Sequence, residues 1–385
     1  MSFLKGTQAG GWDTTTYFDG GHRMSDAIAN QLTRGRNAQM TSKNLNDEID
    51  NLNAKIEKGT LGKDDQLLIA LATHGRPRNG QDTHEVDTVG GQFNLDKLQE
   101  VQKLAEAKGV KLAIIDMSCY SGNTLSLASD KTCVVSSATS ENVGYNGTGT
   151  SLTDQIGKKK NLEQAFLDAR QDPRLINPDA PQISTAAGKV AGTATRGLSE
   201  GMLIRDQLQG SLEANSCEPL DKQKFAKLIA DLKAVSDAAN GKKSADPLEG
   251  ELAQAIQDYN NKRQQALDSF TLSQALNTKT CAMVNQKESC FTLSKWQEML
   301  KNIEQGVPGF KEKWVQGFKE AAKKILSTSE YAQYKEARDA YDTKAKDLYT
   351  QAAGVAKVER KIYRKIYEKQ SAQSKGPNPC KDFQL

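Results

Sequence analysis

Three continuous apolar runs, separated by helical patterns, constrain the fold of the first half of this chain more than any other feature. The runs are Leu67–Ala72, Val110–Ile115 and Thr132–Ala138. A strand that is apolar on both faces is typical of a parallel sheet covered by helices on both sides. Strands and helices alternate at spacings that fit right-handed crossovers. We therefore predict an α/β fold with a doubly wound, mostly parallel sheet and flanking helices.

The helices of this half are predicted from apolar residues that recur every three or four positions. Segment 41–58 carries such a stripe, with Ser42 as the candidate N-cap, and segment 95–108 carries another, with Asn94 as the candidate N-cap. Thr14–Phe18 is a candidate first strand, although glycines crowd it on both sides.

The second half of the chain shows helical periodicity almost throughout. Between residues 327 and 371 there is no proline and a single glycine, Gly354, which predicts one long helix or a pair of helices. Prolines cluster at positions 173–181, where a tether between domains is expected. We predict an α/β domain over 1–172, a linker or peripheral segment over 173–200, and a largely α-helical domain over 201–385.

Charge and composition exclude several classes of function. The 52 basic and 48 acidic residues give a net charge of +4, which offers no electrostatic reason to expect nucleic acid as a partner. No apolar run approaches the ~18 residues of a membrane span. No cysteine pair has C-x-x-C spacing, and no glycine motif of the Walker or dinucleotide type occurs, so we expect neither a metal nor a cofactor.

Reactive side chains concentrate where two of the apolar strands end. His74 and Gly75 follow the first run, and the sequence DMSCYSG, with Cys119 as its fourth residue, follows the second. In an open parallel sheet, ligands bind beyond the carboxyl ends of the strands. If the two strands are neighbours, His74 and Cys119 project from the same edge.

This pairing suits the chemistry of a cysteine nucleophile. An imidazole raises the thiolate fraction of a nearby thiol, whose ordinary pKa is about 8.5, and it can protonate a leaving amine. The N–H groups of Gly75 and Cys119 can bind the developing oxyanion. A single histidine or cysteine at a strand end is most often structural, but the two motifs in this order favour a Cys119/His74 dyad.

The stretches LLIALATHG and IIDMSCYSG together resemble the caspase-like cysteine peptidases of clan CD, which include caspases, metacaspases, legumains, clostripain and gingipains. By motif position, His74 matches the family histidine, Cys119 the nucleophile and Gly75 the oxyanion-hole glycine. The resemblance covers about residues 10–170 and implies a caspase-like peptidase domain there. The helical half resembles no member of the family.

One departure from the family pattern concerns substrate specificity. Members usually carry an acidic residue two positions before the nucleophile, where this chain has Met117, and Asp116 lies three positions before it. Because side chains two apart share a strand face, Met117 rather than Asp116 is expected to contact substrate beside Cys119. The missing charge predicts that Arg or Lys is not strongly preferred before the cleaved bond.

Four further residues are weaker candidates. Ser137 and Thr139 close the third strand and are expected to line the primary substrate pocket. Arg23 follows the candidate first strand and could bind an acidic substrate residue, as an arginine from that region does in caspases. His84 lies in an acidic loop after His74, where a solvated polar loop is a better interpretation than an ion site or a cleft wall.

The sequence supports two functions. The first is a cysteine endopeptidase that cleaves a protein or peptide substrate through an acyl-enzyme, with the substrate bound as an extended strand. The alternative is a catalytically silent caspase-like scaffold whose helical domain binds protein partners. The intact His74 and Cys119 favour the first function, and the oligomeric state is left open.

The six cysteines bear on the redox compartment. Cys119 is expected to be the nucleophile and Cys133 a free thiol within a buried strand, which leaves four cysteines in the second half. We predict two disulfides, Cys281–Cys290 and Cys217–Cys380. Four cysteines nevertheless allow three connectivities. Disulfides would favour a periplasmic or secreted protein, with a cytoplasmic protein as the alternative.

Overall fold

The computed structural model describes residues 2–18, 37–77, 82–140, 147–156, 158–172, 180–195, 247–307 and 312–385, together with a few isolated positions between these ranges. The chain divides into two compact units. The first comprises Met1–Leu252 and Val355–Leu385, and the second comprises Ala253–Gly354.

The described strands are short and occur in both units. In chain order they are β1 Thr16–Tyr17, β2 Asn37–Ala38, β3 Gln66–Leu71, β4 Glu85–Thr88, β5 Gly91–Asn94, β6 Lys111–Asp116, β7 Thr132–Ser136, β8 Gln182–Ile183, β9 Lys279–Val284 and β10 Lys287–Thr292.

The described helices range from four to 45 residues. They are α1 Ser2–Ala9, α2 Ser42–Glu57, α3 Leu98–Lys108, α4 Gly147–Thr153, α5 Leu162–Arg170, α6 at 186–195, α7 Pro247–Leu276, α8 Leu293–Glu304, α9 Glu312–Ile325, α10 Ser329–Gln373 and α11 Pro379–Asp382, with 3-10 turns at Leu95–Lys97 and Ser121–Leu127.

The central sheet of the first unit has four strands in the order β3-β6-β7-β8. β3, β6 and β7 are parallel, and β8 is antiparallel to β7. The fold is therefore mixed α/β with a mostly parallel sheet and a mostly helical C-terminal part, which confirms the coarse prediction. The candidate first strand forms at Thr16–Tyr17, but it pairs with β2 in a separate two-stranded sheet.

The two faces of β6 explain why its sequence is continuously apolar. Leu112 and Ile114 pack with residues of α2 and α3 on one face. Ala113 and Ile115 pack with residues of α5, α6 and the end of α10 on the other face. Every position inside the strand is therefore buried, so no alternation of polar and apolar residues appears.

Helix ends in the first unit follow local capping rules. The side chain of Thr41, one residue before the predicted cap Ser42, accepts a hydrogen bond from the Asn44 N–H and is the N-cap of α2. Asn94 caps the 3-10 turn that leads into α3, as predicted. Gly109 ends α3 in the left-handed conformation with a φ of 78°, which favours glycine.

The predicted domain boundaries differ from the compact units. The expected linker or peripheral segment over 173–200 contains β8, a strand of the central sheet, and its Ile183 and Ala187 are buried in the core. The expected helical domain over 201–385 is divided, because Val355–Leu385 belongs to the first unit. Sequence periodicity could not show this, since a helical stripe has the same pattern whichever partner it packs against.

A buried ion pair accompanies the return of the chain to the first unit. Arg170 of α5 donates to Glu359 of α10 at 2.7 Å, and both side chains are almost fully buried. The Arg170 guanidinium also lies 3.7 Å from the centroid of the Tyr363 ring. If one partner were removed, the other would be left as an unpaired buried charge. The ion pair therefore favours the packing of α10 against α5.

The second unit contains a β-hairpin in a region where the periodicity had predicted helices. β9 and β10 are antiparallel and turn at Asn285 and Gln286, which have φ values of 51° and 66°. Positive φ at both positions is the requirement of a tight hairpin turn, but the usual Asn-Gly signal is absent. The hairpin packs on a core in which Trp296 stacks on Phe318 with ring centroids 4.8 Å apart.

Two cysteine pairs lie at disulfide-bonding distance. Cys281 and Cys290 face each other across β9 and β10, as predicted. Cys380 pairs with Cys133 rather than with Cys217, so the prediction of a free Cys133 thiol and of a Cys217–Cys380 disulfide is wrong. Cys133 lies on the face of β7 that meets the C-terminal residues. Cys217 lies outside the described residues.

Candidate active site

The two predicted catalytic segments lie side by side at the carboxyl edge of the central sheet. Leu71 of β3 pairs with Asp116 of β6, and the Met117 N–H donates to the Leu71 carbonyl at 2.9 Å. His74 and Cys119 each lie three residues beyond that paired position. The strand register therefore brings the histidine and cysteine segments to the same place on the sheet edge, as predicted.

Gly75 lies directly against the backbone of Cys119. A side-chain Cβ at residue 75 would overlap the Cys119 carbonyl oxygen and would lie within 3.0 Å of the Cys119 nitrogen. Real Cβ atoms do not make such contacts, so glycine at residue 75 is a packing requirement. A glycine there lets the His74 segment and the turn that carries Cys119 approach each other at backbone distance.

The β4–β5 hairpin holds the histidine segment from its other side. Gly75 forms an isolated antiparallel bridge with Val86. The Asp87 N–H donates to the His74 carbonyl at 2.9 Å, and the Arg76 N–H donates to the Glu85 carbonyl at 2.8 Å. These two hydrogen bonds make the bridge without using the N–H of Gly75, so within the described residues that donor stays available for another acceptor.

The turn that carries Cys119 is sharply bent. Tyr120 has a φ of 60°, in the left-handed region that a non-glycine residue seldom adopts. A 3-10 turn follows at Ser121–Leu127, and a Cβ on Gly122 would overlap the backbone of Thr139 and Ser140. The bend itself is thus made at Tyr120, and Gly122 is required because the neighbouring backbone is close.

The exposure of the dyad suits contact with a substrate. The His74 side chain is exposed, and Cys119 is half-buried, with its Sγ 4.0 Å from the Gly144 carbonyl oxygen. Among the described cysteines, Cys119 is the one without a sulfur partner. Burial, with a smaller contribution from Cys119, raises the pKa of the neighbouring Tyr120 phenol.

The Asp116 side chain is completely buried. Its carboxylate accepts hydrogen bonds from the Ser118 N–H at 2.9 Å, the Ser118 hydroxyl at 2.7 Å and the Thr124 hydroxyl at 2.6 Å. The sequence predicted that Met117 rather than Asp116 shares a face with Cys119, and the Asp116 carboxylate binds these three donors instead of facing solvent. The Asp116 carboxylate thus binds residues of the turn that carries Cys119 and of the 3-10 turn after it.

His84 is also buried there, so the interpretation of its position as a solvated loop is wrong. Its Nε2 lies 2.8 Å from Ser118 Oγ and 3.4 Å from Asp116 Oδ2. Burial lowers the pKa of His84, and the Asp116 carboxylate opposes that shift only in part. A signal was present in the sequence, because His84 and Val86 alternate with the acidic Glu85 and Asp87 in the pattern of a half-buried strand.

The predicted substrate-binding residues have different surroundings. Ser137 is 3% exposed, and its hydroxyl donates to the Ser118 carbonyl at 3.4 Å. Thr139 is also buried. Met117 is half-buried and packs against α4, where a Cβ on Gly149 would overlap its Sδ. The hydrogen bond of Ser137 supports the turn that carries Cys119. Arg23 lies outside the described residues.

Within the described residues, one cluster has potential metal ligands close together, formed by Cys281, Glu288 and Cys290. Its two sulfur atoms are at bonding distance from each other, so they do not offer two thiolate ligands. Among the residues that the structure describes, no helix is both long and apolar enough to cross a membrane.

Comparison with known proteins adds no family assignment. The chain matches no protein-family model, and no curated protein matches it.

Proposed function

We propose that the protein is a cysteine endopeptidase with a Cys119/His74 dyad and a caspase-like peptidase domain. The observation that supports this most is the close approach of Gly75 to the Cys119 backbone. It places an exposed histidine and a half-buried free cysteine on neighbouring strand ends, in the order that the sequence motifs share with clan CD. A substrate carbonyl that reaches Cys119 also meets the N–H groups of residues 75 and 119.

Each group has a defined role in the reaction. Cys119 Sγ gives its proton to His74 and attacks the carbonyl carbon, and the N–H groups of Gly75 and Cys119 stabilise the oxyanion. The C–N bond then breaks, and the His74 imidazolium gives its proton to the leaving amine. Water, deprotonated by the neutral His74, attacks the thioester, the C–S bond breaks, and the carboxylic acid product and the thiol are released.

Specificity follows from what lies near the nucleophile. The Asp116 carboxylate is fully buried and bound to three donors, so it is not available to a basic substrate residue. Met117 carries no charge. We expect that a peptide-library cleavage profile is not dominated by Arg or Lys before the cut, because an unpaired ammonium is costly to bury. A profile dominated by those residues would mean that another carboxylate reaches the pocket.

The cysteine pairs support an oxidising location. Cys133–Cys380 and Cys281–Cys290 are both at bonding distance. Stable disulfides form in the periplasm or outside the cell and are rare in the cytoplasm. A count of free thiols in denaturant without reductant tests this part of the proposal: six free thiols of the six cysteines would favour a cytoplasmic protein.

The function itself is tested with a peptidyl electrophile and a proteome-derived peptide library. Cys119→Ala is expected to abolish labelling and cleavage, and His74→Ala to lower cleavage by about a hundredfold or more, because the dyad acts as a unit. Ser126→Ala is the matched control, since Ser126 is exposed in the 3-10 turn that follows Cys119. If the wild type cuts no peptide and Cys119 takes no label, the catalytically silent scaffold is the better description.

A further inference from the structure

A buried polar cluster lies beneath the nucleophile turn and takes no part in the chemistry described above. It consists of His84, Ser118, Asp116 and Thr124, and all four side chains are completely buried. They come from the segment before β4, the end of β6 and the 3-10 turn. Most buried polar groups in proteins are hydrogen-bonded, and a buried network of such bonds holds its members in one geometry.

The direction of these hydrogen bonds is set by the single proton of the Ser118 hydroxyl. Ser118 Oγ donates to Asp116 Oδ1 at 2.7 Å, so it can only accept from His84 Nε2 at 2.8 Å. His84 is therefore the tautomer with its proton on Nε2. Its Nδ1 is buried without a hydrogen-bond partner among the described residues. The cluster forms a chain in which His84 donates to Ser118 and Ser118 donates to Asp116.

This chain fixes the residue that precedes the nucleophile. Asp116 holds Ser118 by both its N–H and its hydroxyl. The Ser118 carbonyl accepts a hydrogen bond from the Ser137 hydroxyl at 3.4 Å. A peptide unit is planar, so the orientation of the Ser118 carbonyl sets the direction of the Cys119 N–H on the same peptide.

The same hairpin supports both halves of the site. Asp87 of β4 binds the His74 carbonyl, and His84, three residues earlier, binds the Ser118 hydroxyl. Loss of the His84 hydrogen bond would leave a buried hydroxyl without its donor and would free the turn at Ser118. The Gly75 contact would remain, since it depends on the sheet register.

We propose that His84, acting through Ser118 and Asp116, is a positioning residue that aims the Cys119 N–H at the substrate oxyanion. The catalytic consequence rests on the proposed endopeptidase function. The hydrogen-bonded chain itself does not, because it fixes the Ser118–Cys119 peptide whether or not a substrate is turned over.

The test compares two substitutions of His84. In His84→Gln the side-chain amide Nε2 can donate to Ser118 Oγ, whereas in His84→Met a side chain of similar length has no donor. Each variant is assayed for kcat and KM, for affinity toward a peptidyl aldehyde and for the alkylation rate of Cys119 by iodoacetamide, with the Cys119 peptide resolved by mass spectrometry. The aldehyde adduct carries an oxyanion, and the alkylation does not.

We expect His84→Met to lower kcat and aldehyde affinity by about tenfold to a hundredfold, as when an oxyanion donor is misplaced. KM and the iodoacetamide rate should change little, and His84→Gln should restore most of the loss. Equal losses in both variants, or a fall of all readouts in proportion to unfolding, would show that His84 has only a packing role.

A measurement that needs no substrate separates the two proposals. Amide hydrogen exchange of the segment 117–124 should be faster in His84→Met than in the wild type and should return toward the wild-type rate in His84→Gln. If the exchange behaves in this way but the wild type has no peptidase activity, the proposed function fails and the positioning chain stands. If exchange in His84→Met equals that of the wild type, the positioning chain is refuted.

Discussion

The Cys119 turn of the first unit and the aromatic core of the second unit are stabilised by different kinds of contact. Beneath the turn, buried side chains of His84, Ser118 and Asp116 are joined by hydrogen bonds from His84 Nε2 to Ser118 Oγ and from Ser118 Oγ to Asp116 Oδ1. In the second unit, Trp296 stacks on Phe318 and meets the edge of Phe291, with its indole N–H bound to the Thr280 carbonyl.

The difference indicates what each region is built for. Hydrogen bonds are directional, so a buried polar chain holds one geometry and is easily disrupted by a change of a single atom. Apolar packing contributes much stability but tolerates substitutions that conserve volume. The proposed aiming of the Cys119 N–H requires the first kind of contact, whereas the aromatic core around Trp296 is an example of the second. Four predictions test this contrast.

The largest expected effect comes from the two cysteine pairs, one in each unit. Cys133 and Cys380 are 247 residues apart, and Cys281 and Cys290 are nine apart. In the chain-entropy account, closing these loops stabilises the folded state by about 5.5 and about 2.6 kcal/mol, respectively. Replacing the first pair by alanine should therefore lower the denaturation midpoint more than replacing the second, measured without reductant. Equal losses would contradict the chain-entropy explanation for this protein.

Trp296→Ala should have the next largest effect, because it empties a fully buried site. We expect a loss of about 4 kcal/mol in the stability of the second unit, seen as faster hydrogen exchange in β9, β10 and α8. Met283→Ala is the control, since Met283 is 63% exposed. The iodoacetamide rate of Cys119 should stay unchanged, and a parallel fall in that rate would end the distinction between the two regions.

Gly75→Ala should damage the site by steric overlap. The added methyl group meets the Cys119 carbonyl, so the two segments must separate. We expect kcat/KM to fall by about a hundredfold, equivalent to about 2.7 kcal/mol of transition-state stabilisation. Gly91→Ala is the matched control, because a Cβ on Gly91 of β5 meets no atom within 4 Å. Wild-type activity in Gly75→Ala would mean that the contact is not needed for catalysis.

The smallest effect should be a dependence of stability on pH. Burial lowers the pKa of His84 below its unfolded value of 6.5, and Asp116 is the ionisable group that faces it. The unfolded chain therefore binds the proton more readily. The stability contributed by neutral His84 is complete above pH 6.5 and is lost as the pH falls through the lowered pKa. Urea titrations of the wild type should show this decline.

His84→Gln supplies the control for that measurement, because glutamine does not titrate. Its stability should vary less between about pH 7.5 and about pH 5.5 than that of the wild type. Identical pH profiles would show that His84 does not titrate differently in the folded and unfolded states.

Much of the first unit could be predicted from local patterns. The strands β3, β6 and β7 lie within one or two residues of the three apolar runs, and Asn94 and Gly109 bound the α3 region as their residue types suggest. The juxtaposition of the His74 and Cys119 segments was also predictable, since carboxyl ends of neighbouring parallel strands share an edge.

The missed features depend on partners that are distant in sequence or on weak turn signals. The β9–β10 hairpin lacks an Asn-Gly turn, and its residues do not alternate cleanly between apolar and polar. His84 lies in an acidic stretch that resembles a solvated loop, until Val86 is recognised as its neighbour on a buried face. Local composition could not reveal that the Ser118 hydroxyl accepts a hydrogen bond from His84.

By itself, the sequence determined the parallel α/β arrangement and the edge at which its reactive groups meet, because hydrophobic periodicity and chain breakers act over a few residues. Only the tertiary structure decided that Cys380 pairs with Cys133, that Val355–Leu385 packs in the first unit, and that His84 lies beneath Cys119. Those outcomes depend on which faces meet after the chain has closed long loops, and no local pattern encodes that choice.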